Sequence, residues 1–124
     1  MHRLLYPWLA LVLLACNHHQ AGERHAAAAD LFTQTYEARN LEASVGGTDC
    51  LVLIIDAGTP LDDTLVESMQ YGTGPYEELC VEQLAEERRF RAVVYRDAAK
   101  HLWTYGAIDL EEARSLPRCR RGRS

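Results

Sequence analysis

A chain of 124 residues, 48% hydrophobic and 25% charged, has room for one small domain and the balance of an ordinary globular protein. Its formal charge is −5, and Arg118, Arg120, Arg121 and Arg123 place +4 in the last seven residues, so the body is strongly acidic. An acidic body with a basic end argues against a nucleic-acid surface on the folded part.

The first element is Met1-His2-Arg3 followed by the apolar run Leu4 to Leu14, the layout of a secretory signal. Those 11 residues make a helix of about 16 Å, too short for a bilayer core that needs roughly 20 residues. The run ends in Leu13-Leu14-Ala15-Cys16, which resembles the lipobox of bacterial lipoprotein precursors. The resemblance implies cleavage between Ala15 and Cys16, lipid on the Cys16 sulfur and, from Asn17 in the next position, passage to the outer membrane facing the periplasm. Two or more acyl chains anchor stably where one is marginal. The other reading is an ordinary secretory signal with a cysteine near its cleavage site. The resemblance covers residues 1 to 16 only; the expected divisions are signal peptide 1–15, lipidated tether 16–22, domain 23–117 and basic disordered tail 118–124.

Glu23 to Ala43 reads as an amphipathic helix, from Ala26 to Ala29 and the spacing of Ala28, Leu31, Phe32, Thr35, Tyr36 and Arg39. After Gly46-Gly47, Leu51 to Ile55 is an aliphatic run bounded by turn formers, a strand buried on both faces. Thr59-Pro60-Leu61-Asp62 starts a second helix, with Thr59 as cap and Leu61, Leu65 and Met69 as apolar face, and Tyr76 to Arg88 a third, with Glu77, Glu78, Glu82 and Glu86 outside. Phe90 to Tyr95 and His101 to Tyr105 have strand composition and form a hairpin, and Asp109-Leu110-Glu111-Glu112 opens a short last helix that Pro117 stops. The expected fold is α+β: a three-stranded sheet of one aliphatic strand plus a C-terminal hairpin, packed with three main helices and the short one. One tension is built in, because pairing the hairpin with itself leaves the aliphatic strand at an edge although its composition is that of an interior strand.

With Cys16 lipidated, Cys50, Cys80 and Cys119 allow one disulfide in an oxidising envelope; Cys50 with Cys80 is the preferred pair, and the sequence does not separate it from Cys50–Cys119 or Cys80–Cys119. Cys80 or Cys119 with His101 and Asp56 lists the residue types of a thiol hydrolase, without the local signature that would join them. His18, His19 and His25 match no metal-site spacing, and no cofactor is expected. The helix-turn-helix and hairpin from Pro60 to Tyr105 have the element order of a winged-helix DNA reader, but five glutamates on the second helix would repel phosphates. Tyr71, Tyr76, Tyr95, Trp103 and Tyr105 either line a shallow binding surface or complete the core. The resulting expectation is a lipid-anchored cell-envelope protein with a small binding or structural domain, accessory to an envelope protein partner. The alternative is a small envelope enzyme using Asp56, His101 and a free cysteine.

Overall fold

The computed structural model describes residues 23–119. The expected signal peptide, the lipobox-like tetrad with Ala15 and Cys16, the expected tether and residues 120–124 lie outside the described residues.

Helix α1 covers 23–36 and runs into a short 3-10 turn at Glu37–Arg39. Then follow β1 (Leu41–Gly46), β2 (Val52–Ala57), α2 (Asp63–Tyr71), α3 (Val81–Glu87), β3 (Ala92–Arg96), β4 (Leu102–Gly106) and α4 (Leu110–Arg114). The four strands lie in the order β1-β2-β3-β4. The outer pairs are antiparallel and the central pair β2–β3 is parallel, with α2 and α3 forming the crossover.

The α+β class stands, but the sheet has four strands rather than three, and the added strand removes the tension in the sequence. The expected first helix stops seven residues short of Ala43: Asn40 takes the left-handed conformation (φ 60°) and turns the chain back. From Leu41 the period changes to two, with Leu41, Ala43 and Val45 buried and Glu42 exposed. β1 thus pairs with β2 from Leu41 opposite Ala57 to Gly46 opposite Val52, and the aliphatic strand becomes interior. Its Leu53 and Ile55 pack on one face with Phe32, Val66, Met69, Val81 and Tyr95. Val52 and Ile54 pack on the other with Val94 and Ala113 of α4. Fully burying such an aliphatic side chain contributes about 1.5–3 kcal/mol, and β2 does so on both sides.

Other boundaries move for local reasons. Helix α2 is capped by Asp62, whose carboxylate accepts the Leu65 N–H at 2.8 Å, so Thr59 and Pro60 lie in the preceding loop. Helix α3 begins only at Val81, because Cys80 is left-handed (φ 38°) and breaks the run from Tyr76. Asp109 caps α4 as expected, accepting the Glu112 N–H at 2.7 Å.

The chain end also differs from expectation. Arg118 bridges to Gly46, the Cys119 N–H donates to Val45 O at 3.2 Å, and Cys119 is disulfide-bonded to Cys50 with the Cα atoms 5.0 Å apart. Residues 118 and 119 therefore belong to the fold rather than to a disordered tail. The expected Cys50–Cys80 pairing is replaced by Cys50–Cys119: Cys50 lies in the β1–β2 turn, where the C-terminal segment arrives along β1, whereas Cys80 is a free thiol at the start of α3.

The two edges of the sheet are finished differently. On β1, Thr33 Oγ1 accepts the outward Ala43 N–H at 2.8 Å, and Cys119 takes the Val45 carbonyl. On β4, the bonds Asp97 N–H to His101 O and Ala107 N–H to Arg91 O bracket the ladder with β3. Antiparallel alternation then turns the N–H and C=O of Leu102 and Thr104 and the N–H of Gly106 outward, and among the described residues nothing pairs with them, whereas the Gly106 carbonyl accepts the Ile108 N–H at 3.0 Å.

Candidate functional site

Strand alternation places Trp103 and Tyr105 of β4 on the helix side of the sheet, beside Val93 and Tyr95 of β3. Tyr95 is fully buried, and its hydroxyl donates to Gln70 Oε1 at 2.7 Å, a side chain that α2 also buries. Tyr105 meets Tyr95 edge-on (centroids 5.7 Å, 82°) and Tyr71 edge-on (6.1 Å, 89°). Tyr71 ends α2, where Gly72 (φ 69°) supplies the left-handed cap, and it is 49% exposed. At the other end of the strand the Trp103 indole N–H donates to Asp63 Oδ1 at 2.8 Å, with His101 against the ring. Four of the five aromatic residues marked in the sequence therefore gather around β4. The fifth, Tyr76, lies elsewhere, under the Arg39 guanidinium at 4.3 Å.

Beside this cluster a cleft of 310 Å³ opens between α2, α3 and β4, lined by Gln70, Tyr71, Glu82, Glu86, Arg91 and Tyr105 among others. Glu82 and Glu86 place two carboxylates in its lining. Burial, then Tyr71, Glu67 and Asp63, push the Tyr105 phenol up, and burial, then Tyr105 and Tyr71, push the Tyr95 phenol up still further. Both remain neutral hydroxyls. Arg91 is the one cation among the described residues lining the cleft, and it is held by Asp49 Oδ2 and Glu112 Oε2, each at 2.7 Å. Gly106 closes the strand at φ 88°; a Cβ there would lie 2.6 Å from the Arg91 carbonyl, so only glycine lets the edge end so close to β3. Aromatic rings beside unpartnered carboxylate charge suit a cationic or basic ligand.

The residues of the hydrolase alternative are each engaged separately. Asp56 forms a two-point ion pair with Arg96 (2.7 and 2.8 Å) on the α4 face of the sheet. His101 is exposed and faces Asp97 at 3.3 Å. Cys80 sits between α2 and α3, and Cys119 is oxidised. No bond joins Asp56 to His101 or either to a thiol. His25 turns inward, with Nε2 2.7 Å from Arg88 O and its ring on Phe90, while His18 and His19 lie outside the described residues. Among the described residues no three His, Cys, Asp or Glu side chains converge as metal ligands, and no helix is long and apolar enough to cross a membrane.

Two contributors were not singled out in the sequence. Asp97 is buried and accepts the Leu61 N–H (2.8 Å) and the His101 N–H (2.7 Å), joining the loop before α2 to the β3–β4 turn. Burial alone would raise its carboxyl; the hydrogen bonds from Leu61 and His101 outweigh that and hold it below the ordinary range. An aspartate opening a turn between two strand-like runs is the available signal. Gln70 carries no such signal, since only the fold brings it under Tyr95. Compared with protein-family models, curated proteins and solved structures, the chain matches none.

Proposed function

We propose that this chain is a lipid-anchored cell-envelope protein whose small domain works by binding, with the acidic, aromatic surface around β4 as its contact face. The Leu13-Leu14-Ala15-Cys16 tetrad supports the anchor through Cys16, and the outer-membrane, periplasm-facing location follows from Asn17. The Cys50–Cys119 disulfide supports an oxidising compartment, since such bonds rarely persist in a reducing cytosol. The observation that carries the binding reading is the Tyr71–Tyr105–Tyr95 stack, rigid at its buried end through Gln70 and open at Tyr71. Aromatic residues with an apolar body and a polar tip recur at protein contacts because they add area with little loss of side-chain freedom.

The test has two readouts. Cells fed an alkyne-bearing fatty acid should label the native chain and not Cys16→Ser, and the mature product should start at an acylated residue 16. A photoreactive residue at position 71 should form a discrete adduct in intact cells while one at exposed position 37 does not. Labelling of the Cys16→Ser chain would remove the anchor, and equal adducts at both positions would remove the contact face.

A further inference from the structure

The two edges of the sheet are treated unequally. β1 is closed by a threonine side chain and by a C-terminal segment bound through a disulfide. β4, with the sequence Leu-Trp-Thr-Tyr-Gly, carries no proline and no charged residue along its length, and its outward N–H and C=O groups at Leu102 and Thr104 and the N–H of Gly106 are unpaired among the described residues. Open edges of this kind pair readily with other chains, and proteins usually blunt them. A fold that closes one edge by two separate devices and leaves the other open has reserved the open one.

What flanks that edge defines its occupant. On the helix side Asp63 and Glu67 act on Tyr105 and Tyr71 is half exposed; on the other side α4 packs against β4 and presents Leu110, 43% exposed. Successive side chains of an incoming strand would meet carboxylates and an aromatic ring on one side and an apolar residue on the other. We infer that the β4 edge receives an extended segment of a partner protein, alternating basic and apolar residues, which adds as a fifth strand. Backbone bonds to Leu102, Thr104 and the Gly106 N–H give affinity, and the flanks give selectivity. A second copy of the chain is disfavoured, because its own Asp63 and Glu67 would be brought towards the same carboxylates. The inference rests on the binding reading above and names the partner's chemistry.

The probe is a blocked, fluorescent heptapeptide of alternating lysine and valine, added to the full chain in detergent micelles and followed by anisotropy. One control peptide replaces lysine by glutamate; another keeps every charge but carries N-methyl groups on alternate backbone nitrogens. The lysine–valine peptide should bind at least about tenfold more tightly than either control. Thr104→Pro, which deletes an outward donor without touching the ladder to β3, and Glu67→Lys should each weaken it by a similar factor. Equal binding of the N-methylated peptide overturns strand addition, and this arm uses the native protein, so it stands even if Thr104→Pro fails to fold. Equal binding of the glutamate peptide overturns the basic partner. If no peptide binds and the chain is instead a dimer that Thr104→Pro dissociates, the occupant is a second copy and the inference is wrong. Adducts at position 71 without peptide binding would leave the contact face standing and reject only the strand-addition mode.

Discussion

Breaking the Cys50–Cys119 bridge should be the most damaging single covalent change available in this domain. The two residues are 69 apart in sequence, so the link forbids the unfolded chain a large set of open conformations. In the chain-entropy treatment, a loop of that length corresponds to about 4 kcal/mol at room temperature. For a domain of this size that is a fall of at least about 15 °C in melting temperature. The matched experiment compares thermal unfolding, by circular dichroism, of the native chain, Cys50→Ala, Cys119→Ala and Cys80→Ala. The first two variants should melt far below the native protein and respond little to reductant, whereas Cys80→Ala should keep both the native melting temperature and the reductant sensitivity. The opposite pattern, with Cys80→Ala as damaging as Cys50→Ala and Cys119→Ala harmless, would reinstate the Cys50–Cys80 pairing. A bridge variant melting within a few degrees of the native chain would refute the loop-entropy reasoning.

Three further outcomes are expected. Asp49 is desolvated, which raises its carboxyl, but hydrogen bonds from Arg91 and Leu51 prevail, so Asp49 and Asp97 both titrate below the ordinary 3.8 in the folded state. Their contribution to stability is then complete above that value and is lost as the pH falls through the lower folded one; urea midpoints should drop below about pH 4, and Asp97→Asn should flatten that acid limb. Tyr95→Phe leaves Gln70 buried without its donor and should cost about 1–3 kcal/mol in equilibrium denaturation, with Gln70→Leu in the same chain recovering part of the loss. Gly106→Ala meets both the positive φ and the Arg91 carbonyl and should cost about 1–3 kcal/mol, read from the denaturation midpoint, whereas alanine at exposed Thr64 should change little.

Much of the helix-and-strand order could be read from residue type, because the aliphatic run at Leu51 to Ile55, the hairpin and the Asp109 cap all express local preferences that packing later reinforces. β1 is hidden in the sequence because the alanine-rich helix propensity upstream extends past Asn40, where one left-handed residue resets the period. The aliphatic strand had already registered the error, since its composition demanded a second neighbour. At the candidate site the aromatic residues were visible by type, yet which of them meet depends on register: Tyr105 faces Tyr95 across β3 and β4 only diagonally, and Tyr76 leaves the group because Arg39 lies over its ring. The disulfide partner is hidden for a related reason, since the path of residues 117–119 along β1 depends on a strand that residue type does not reveal.

The strap made by Pro117 to Cys119 lays the end of the described chain over the β1–β2 hairpin, where the Gly47 N–H donates to the Pro117 carbonyl at 2.8 Å. Without an oxidant the Cys119 sulfur remains unfastened and the strap loses its covalent hold on the β1–β2 turn. The domain is thus firmer in oxidising surroundings than in reducing ones, because only there are the two ends of the strap's link joined.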